Sequence, residues 1–315
     1  MRRRRTLLTV CVLLSPAACD SSKAASAAAD ASRADRRVES SASPSTDDEV
    51  HSVYPADAGP PDPLAARLCA ALHDVPEQRR ATCCVARPGV VFTSECVRTL
   101  TAALRFNAVT LDAAQIGRCE TAMAREHEGC DWVGPFAPDV PKECDGIVRG
   151  VLETDSPCRS SLECRQGLHC RGSGPTRPGI CRPARQAGDG CGGAVDTLAT
   201  YTRQLQADIA HPECNGYCDS HRCVPFVAQG GACSFAGQCA KETDCVAGKC
   251  SPHRVAKLGE PCPGGSCEAG ARCIRGGCVA PARTGDSCAS DFECRGACIR
   301  GGKGLGVCGQ RCDVR

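Results

Sequence analysis

The sequence is poor in aromatic residues, which usually fill much of a hydrophobic core. Its 315 residues include one Trp, three Tyr and six Phe. No Cys-x-x-Cys pair occurs in the chain, although zinc ribbons and thiol redox folds commonly use that spacing. The low aromatic content excludes an ordinary hydrophobic core for a chain of this length. The missing spacing argues against a zinc-binding or redox protein.

Other features that would identify a function are missing as well. The formal net charge is +2, and no basic patch with interleaved aromatic residues occurs, so no nucleic acid is expected as a partner. The motifs His-Glu-x-x-His and Gly-x-Ser-x-Gly are absent from the sequence. The sequence therefore predicts no metal site, no catalytic residue and no cofactor, and the protein is expected not to be an enzyme.

Cysteine is abundant instead. The chain has 30 cysteines, a content typical of a scaffold held by disulfides, which persist in an oxidising compartment. The predicted fold class is small and disulfide-rich: a mostly helical, cysteine-containing N-terminal domain, followed by tandem short β-hairpin disulfide modules. Covalent cross-links replace the buried apolar area that this composition does not supply.

Residues 1–18 have the pattern of a signal peptide. Four arginines follow Met1, and the next residues form an apolar segment that is too short to span a bilayer. The run Pro16-Ala17-Ala18-Cys19 resembles a bacterial lipobox, in which the cysteine is lipidated. The resemblance implies lipidation of Cys19 and makes the membrane a partner of the protein through that lipid anchor.

The number of cysteines supports the anchor. Cys11 is lost with the signal peptide and a lipidated Cys19 is not oxidised, which leaves 28 cysteines for 14 bridges. An ordinary signal-peptidase cut before Cys19 would instead leave one unpaired thiol. The predicted location is extracytoplasmic: a membrane-anchored bacterial lipoprotein of the cell envelope or surface, or otherwise a secreted protein.

Residues 19–61 combine the lipidated cysteine with a tether rich in Ala, Ser and Pro. Such a composition buries too little apolar surface to become ordered. A flexible coil of this length would separate its two ends by roughly 35–40 Å. The segment is therefore predicted to be a disordered spacer that lifts a folded body off the membrane. A disordered tail without a role is the alternative.

Residues 62–156 are predicted to form the helical domain. Asp62 and Pro63 suit the N-cap and the first position of a helix, and leucines follow at four-residue spacing. Asp112 begins the clearest helical pattern, because it can cap a helix while Gln115 returns the hydrogen bond. The domain holds seven cysteines: Cys69, Cys83, Cys84, Cys96, Cys119, Cys130 and Cys144. The adjacent pair among them is predicted to have two different partners.

Residues 157–315 are predicted to form about five disulfide repeats of four cysteines each. Short Gly-containing turns between the third and fourth cysteines predict small hairpins, and a small turn precedes the first cysteine of each later repeat. Three tetrads are regular: Cys158, Cys164, Cys170 and Cys181; Cys233, Cys239, Cys245 and Cys250; Cys262, Cys267, Cys273 and Cys278. Two are looser: Cys191, Cys214, Cys218 and Cys223, with a long insertion, and Cys288, Cys294, Cys298 and Cys308.

The run Cys158-Arg-Ser-Ser-Leu-Glu-Cys164-Arg-Gln-Gly-Leu-His-Cys170, followed by copies led by glycine, resembles the Dickkopf N-terminal cysteine-rich pattern. Residues 62–315 resemble more closely a class of cysteine-rich lipoproteins from myxobacteria, in which such repeats follow a helical, cysteine-containing region. The resemblance implies an architecture and carries no activity with it.

Crossed disulfides, first to third and second to fourth, are predicted within a tetrad. Two neighbours along one hairpin can be joined only if their Cα atoms lie within about 7 Å with suitable directions, and crossed pairing ties the leading loop to the hairpin. Three connectivities are open to four cysteines. The predicted bonds are Cys158–Cys170, Cys164–Cys181, Cys233–Cys245, Cys239–Cys250, Cys262–Cys273, Cys267–Cys278, Cys288–Cys298 and Cys294–Cys308. By parity, Cys312 is predicted to pair with a cysteine of the helical domain.

The expected function is that of an extracytoplasmic binding or interaction scaffold for an unknown protein or envelope ligand. Cross-linked modules present short loops at a low entropic cost, because the unfolded chain is already restricted. Three alternatives stay open: a structural envelope component, a protease-inhibitor-like protein with a basic residue such as Arg275 on a rigid loop, and an enzyme seated in the helical domain.

Overall fold

The computed structural model describes residues 53–312, except 88, 90, 136–139, 193–194, 205, 269 and 303. The predicted signal peptide, Cys19 and the tether up to residue 52 lie outside these residues. All of the described residues belong to one compact unit. None of the described helices combines the length and the hydrophobicity that a membrane span requires.

Four α-helices lie in the N-terminal part. Asp62 caps the first, because its Oδ1 accepts hydrogen bonds from the amides of Leu64 and Ala65 at 2.8 and 3.1 Å. Asp112 caps the fourth in the same way. A π-helical turn, Ala70–Asp74, joins the first two. The helices are α1, Pro63–Cys69; α2, Val75–Cys84; α3, Thr93–Arg105; and α4, Ala113–Glu126.

The prediction of a mostly helical N-terminal domain holds in part. After α4 the chain runs through turns and a short 3₁₀ helix, Lys142–Cys144. Two short strands, β1 (Val109–Thr110) and β2 (Arg149–Gly150), pair antiparallel. Gln115 does not form the predicted reciprocal cap: its Oε1, which would accept from the Asp112 amide, accepts from Nη2 of Arg149 at 3.1 Å. Its side-chain amide donates to the carbonyl oxygen of Asp145 at 2.8 Å, so both ends of the side chain bind the segment around β2 instead of the helix start.

The end of the predicted tether is part of the folded unit. Arg98 of α3 donates to the carbonyl oxygens of Tyr54 and Pro55 at 3.2 and 2.6 Å, and Arg105 binds two further carbonyl groups of the same segment. The side chain of Tyr54 is fully buried. The predicted disordered segment 19–61 is thus too long at its C-terminal end, because two arginines distant in sequence hold a segment whose composition would not order it.

One buried cluster fills the N-terminal part with aliphatic and small side chains and contains the buried disulfides Cys69–Cys96 and Cys119–Cys144. Leu162 and Leu198 belong to the same cluster, although both lie in the predicted repeat region. The helical part and the start of the repeat region therefore share one core.

Five small modules follow, and in each an antiparallel pair of strands brings the third and fourth cysteines opposite each other. In the second, third and fourth modules, two residues with positive φ connect these strands, the geometry of a tight type I′ hairpin. The strands are β3, Pro157–Cys158; β4, Leu168–Arg171; β5, Gly179–Pro183; β6, Tyr217–Asp219; β7, Arg222–Val224; β8, Thr243–Val246; β9, Lys249–Pro252; β10, Arg272–Ile274; β11, Gly277–Val279; β12, Ser287–Cys288; β13, Ala297–Ile299; and β14, Gly306–Gly309.

The turn before the first cysteine is bound to the last strand in every module. In the fourth module, the amide of Gly259 donates to the carbonyl oxygen of Cys278 at 2.8 Å, and the amide of Cys278 donates to that of Glu260 at 2.9 Å. Gly259 has a φ of 84°, which favours glycine. Gly188, Gly230 and Gly285 take the same position with φ of 90°, 86° and 96°, and Asp155 takes it in the first module with φ of 70°.

Three residues before that turn position lies what we call the anchor residue of the module. Its amide donates to the carbonyl group of the residue before the second cysteine, and its own carbonyl group accepts from the residue after that cysteine. This pair of hydrogen bonds recurs in all five modules. The anchor residues are Leu152, Arg185, Val227, Ala256 and Ala282.

Fourteen disulfides hold this arrangement. In every module the first cysteine is bonded to the third and the second to the fourth, including Cys191–Cys218 and Cys214–Cys223 in the module with the long insertion. The remaining bonds are Cys158–Cys170, Cys164–Cys181, Cys233–Cys245, Cys239–Cys250, Cys262–Cys273, Cys267–Cys278, Cys288–Cys298 and Cys294–Cys308. The adjacent pair Cys83 and Cys84 has separate partners, Cys130 and Cys312.

Candidate binding cleft

A cleft lies between the first module and the insertion of the second module. The insertion separates Cys191 from Cys214 and contains two short helices, α5 (Thr197–Tyr201) and α6 (Ala207–Ala210). Leu198 of α5 is fully buried in the main core, which fixes the insertion to the body of the protein. The segment that makes this repeat irregular in sequence thus forms one wall of the cleft.

Asp196 joins the two walls. As the N-cap of α5, its Oδ1 accepts from the amide of Ala199 at 3.0 Å. The same carboxylate accepts from the hydroxyl of Ser160 at 2.7 Å and from the amide of Ser161 at 2.6 Å. Because hydrogen bonds to a carboxylate are stronger than those between neutral groups, one side chain holds the insertion and the first module in register.

Two histidines extend this junction. Nδ1 of His211 lies 3.0 Å from the carbonyl oxygen of Leu168, and Nδ1 of His169 lies 3.1 Å from the carbonyl oxygen of His211. A carbonyl oxygen only accepts, so both Nδ1 atoms carry the hydrogen. Burial lowers the pKa of His211, which favours the neutral form of its ring at the junction.

The cleft comprises two cavities of about 480 and 640 Å³, within the range of small-molecule sites. Four residues line both cavities: Ser161, His169, Asp196 and Glu213. Three arginines line the smaller one: Arg171, Arg177 and Arg185. Most of the residues that line the cleft are therefore polar or charged, and the smaller cavity has the concentration of guanidinium groups.

Ser161, His169 and Asp196 are the residue types of a catalytic triad, but their contacts differ from those of a triad. A triad places the carboxylate on the imidazole, and the imidazole accepts from the hydroxyl. Here the carboxylate accepts from Ser160 and from the Ser161 amide. Nδ1 of His169 lies 3.1 Å from both the Ser161 Oγ and the His211 carbonyl oxygen, so it donates rather than acts as a base. These three side chains therefore do not have the hydrogen bonds of a catalytic triad.

A buried carboxyl group lies in the same module. Glu163 accepts from the hydroxyl of Tyr54 at 2.9 Å and from the amide of Arg159 at 2.6 Å. Burial raises the pKa of Glu163, and these hydrogen bonds oppose the effect. Burial and the nearby Glu163 raise the pKa of Tyr54. The hydrogen bond between Tyr54 and Glu163 connects the N-terminal segment to the first module. Glu163 directly precedes Cys164, the second cysteine of that module.

The predicted site residues are almost entirely internal cross-links, and Cys170 is the one that also lines the smaller cavity. Each tetrad brings three sulfur atoms within 4.8 Å of one another, a spacing that could serve a metal ion if the cysteines were reduced. In the oxidised protein these sulfurs are bonded in pairs and offer no thiolate ligands. Cys19 lies outside the described residues.

Arg275, the residue of the inhibitor hypothesis, lies at the tip of the β10–β11 hairpin with a φ of 53°. Its guanidinium group is 3.2 Å from the carboxylate of Glu293 in the fifth module. Peptides that bind by pairing with another protein's strand are extended, whereas this backbone is left-handed. The contacts of Arg275 therefore favour a link between modules over an inhibitory loop.

The sequence does not predict the cleft, because its lining comes from separate segments that only the tertiary structure brings together. The chain matches no family model, no curated protein and no solved structure. The chemistry of the cleft consequently rests on its own side chains.

Proposed function

We propose that the protein is an exported, lipid-anchored binding protein of the bacterial cell envelope and that the cleft takes its ligand. The observation that carries this proposal is the cleft itself, a concavity lined mostly by polar and charged residues between two modules of a body with fourteen disulfides. Such a number of disulfides fits an extracellular or secreted protein. Cys19 supplies the proposed anchor, and the residues before the folded unit supply the spacer.

The walls of the cleft are fixed by the protein's own bonds. The disulfides Cys158–Cys170 and Cys191–Cys218 hold the first and second modules, and Asp196 connects them. A site whose groups are already ordered loses little conformational entropy when a ligand binds. This arrangement supports recognition of a ligand by a preformed surface.

A structural role in the envelope is the second candidate. Its support is the bond between Cys84 at the end of α2 and Cys312 after the fifth module, which would strengthen a load-bearing component. The two candidates differ in one respect: a structural component would not need an open cleft.

Filling the cleft separates the two functions. Thr176 is exposed and lines the smaller cavity, so Thr176→Trp should obstruct it. The matched control is Leu258→Trp at an exposed site outside the two cavities. Full-length protein would be immobilised and exposed to solubilised envelope from the native cells. We expect both the wild type and the control to retain a component that Thr176→Trp does not retain.

Equal retention by all three proteins would overturn the proposal, as would retention no greater than on bare resin. A chromosomal Thr176→Trp allele that fully restores envelope integrity in a deletion strain would favour the structural role.

The anchor has its own test. Mass spectrometry of the mature N-terminus should find acylated Cys19, and Cys19→Ala should release the protein from the membrane fraction. An unacylated mature N-terminus, or a Cys19→Ala protein that stays membrane-bound, would refute the anchor and leave the role of the cleft standing.

A further inference from the structure

The five modules serve as an internal reference, because the same hydrogen bonds define one anchor residue in each. Four anchor residues are apolar: Leu152, Val227, Ala256 and Ala282. Leu152 and Ala282 pack directly on the disulfides of their modules, and Ala256 is buried with its own. The second module has Arg185 at this position. The backbone hydrogen bonds of a module, which we call its frame, thus form with an apolar side chain at this position. The fold of the module therefore does not explain the arginine.

Arg185 is incompletely paired in the described part of the chain. Its Nε atom is buried without a hydrogen-bond partner, and its ion pair with Glu213 is long, at 3.9 Å. About 30% of the side-chain surface remains exposed, where the residue lines the smaller cavity. Folded proteins usually satisfy buried donors, so this guanidinium group has capacity for an acceptor that the protein does not provide.

The presence of Glu213 beside Arg185 is explained by comparison with other modules. Its Oε2 accepts from the amide of Gly192, the residue after the first cysteine, at 3.0 Å. Glu163, Gln238 and Glu293 precede the second cysteine of their modules and accept from the equivalent amides. The carboxylate of Glu213 therefore forms a hydrogen bond that the first, third and fifth modules also have, whereas the guanidinium group of Arg185 has no counterpart in them.

Two more departures from the frame meet at the same cavity. The hairpin loop of the first module, residues 172–178, replaces the two-residue turn of the second, third and fourth modules, and it carries Arg177. Arg171, the last residue of β4, directly precedes this loop, and its Nε is also buried without a hydrogen-bond partner among the described residues. The second departure is the insertion with Asp196, whose carboxylate is engaged by three donors. The cationic groups are thus in excess over the carboxylates still able to accept.

We propose that the smaller cavity binds an oxyanion, a carboxylate or a phosphate group of the ligand, and that Arg185 is its principal contact. The inference rests on the proposed binding function and names the chemical class of the ligand. A guanidinium group offers a planar fork of donors that matches both kinds of oxyanion. A volume of about 480 Å³ accommodates a small molecule or one acidic side chain of a larger partner.

The test is calorimetric titration of the full-length, disulfide-intact protein with citrate and, separately, with inorganic phosphate. We expect saturable binding of at least one probe, weaker at high salt because the contact is ionic. Citrate binding alone assigns a carboxylate ligand, phosphate binding alone a phosphate ligand, and binding of both a general oxyanion site. Binding of neither probe overturns the proposal.

The decisive variant is Arg185→Leu, which installs the anchor residue of the first module and should fold at least as stably as the wild type. We expect its affinity to fall tenfold or more, and Arg177→Ala, on the exposed loop, to lower affinity several-fold. The matched control is Arg254→Leu, an arginine outside the cavity with 70% of its side chain exposed, which should bind as the wild type does. Unchanged affinity in both cleft variants refutes the assignment.

The three cleft variants distinguish a wrong ligand class from a wrong function. If Thr176→Trp abolishes retention of the envelope component while Arg185→Leu and Arg177→Ala leave it intact, the cleft binds a ligand without an oxyanion contact. If Thr176→Trp has no effect, the proposed function itself fails.

Discussion

Cys84, the last residue of α2, is bonded to Cys312, 228 residues further along the chain, with the two Cα atoms 5.6 Å apart. The fifth module reinforces the connection, because the hydroxyl of Thr284 donates to the carboxylate of Asp131 at 2.6 Å. The amide of Arg311 donates to the carbonyl oxygen of Val133 at 3.1 Å. The last module thus returns to the helical part at which the folded chain begins.

Removing this bond with the double variant Cys84→Ser/Cys312→Ser should lower the free energy of unfolding by about 2–4 kcal/mol, because the unfolded chain regains conformations that the cross-link excludes. Denaturant unfolding followed by the fluorescence of Trp132, which is buried near the junction, would measure the change. Limited proteolysis should then cut the fifth module faster than the first. Equal stability and equal cleavage patterns would contradict a structural role for the bond.

The same junction contains a close backbone approach. A Cβ atom added to Gly134 would lie 2.3 Å from the carbonyl oxygen of Gly296 in the fifth module. Gly134→Ala should therefore destabilise the protein by about 1–3 kcal/mol through overpacking, as measured by denaturant unfolding. Gly117→Ala is the control: the position lies inside α4, where an added Cβ meets its nearest neighbour at 4.0 Å, and alanine should stabilise the helix. A neutral Gly134→Ala would show that the junction can open without loss.

The sequence predicts the local features well, for physical reasons. The helix caps Asp62 and Asp112 could be predicted because the hydrogen bonds of a cap join residues that are at most three positions apart in the sequence. The positions of the small hairpins follow from glycine-containing turns such as Ala247-Gly248, whose φ angles are 50° and 78°. Within a module the cysteines are close along the chain, and the structure has the crossed pairing that the spacing favours.

The features that the sequence did not predict depend on contacts between distant segments. Cysteine parity assigns Cys312 to the helical part, but only the tertiary structure selects Cys84 as its partner. The ordered end of the tether depends on Arg98, more than forty residues away. The sequence alone does not show that Arg185 occupies a position where the other modules have an apolar residue. That comparison needs the backbone hydrogen bonds that define the anchor residue in all five modules.

Glu163 should make stability depend on pH. Burial raises its pKa in the folded protein, so between the ordinary carboxyl pKa and the raised value the folded state binds more protons than the unfolded state. Stability is then greatest at the acidic end of this window and is lost as the pH rises through it. Glu163→Gln removes the titrating group and keeps an oxygen acceptor. Its stability relative to the wild type should therefore increase from about pH 4 to pH 7.

Thermal unfolding of the two proteins across that range would measure the effect. The control is Glu153→Gln, which makes the same substitution at a side chain that is 61% exposed in an ion pair with Arg165 and so measures the effect of the change from carboxylate to amide outside the core. A constant difference between Glu163→Gln and the wild type would mean that the pKa of Glu163 is the same in the folded and the unfolded protein.

His211 should produce a pH dependence of the opposite sign. Burial lowers its pKa in the folded protein, so the unfolded state binds more protons once the pH falls below the ordinary histidine pKa of about 6.5. The contribution is fully present above that value and is lost as the pH falls toward the lowered pKa. His211→Asn removes the titration and keeps a donor for the carbonyl group of Leu168. The wild type should lose stability against this variant between about pH 7 and pH 5.

The expected loss should also reach the cleft, because His211 connects the insertion to the first module through Leu168 and His169. Proteolysis within the insertion should therefore accelerate on acidification in the wild type and much less in His211→Asn. At about pH 8 the ring is neutral in both states, and the difference between the two proteins there reports only the substitution. Parallel stability curves from pH 8 to pH 5 would show that the junction holds a charged His211 as well as a neutral one.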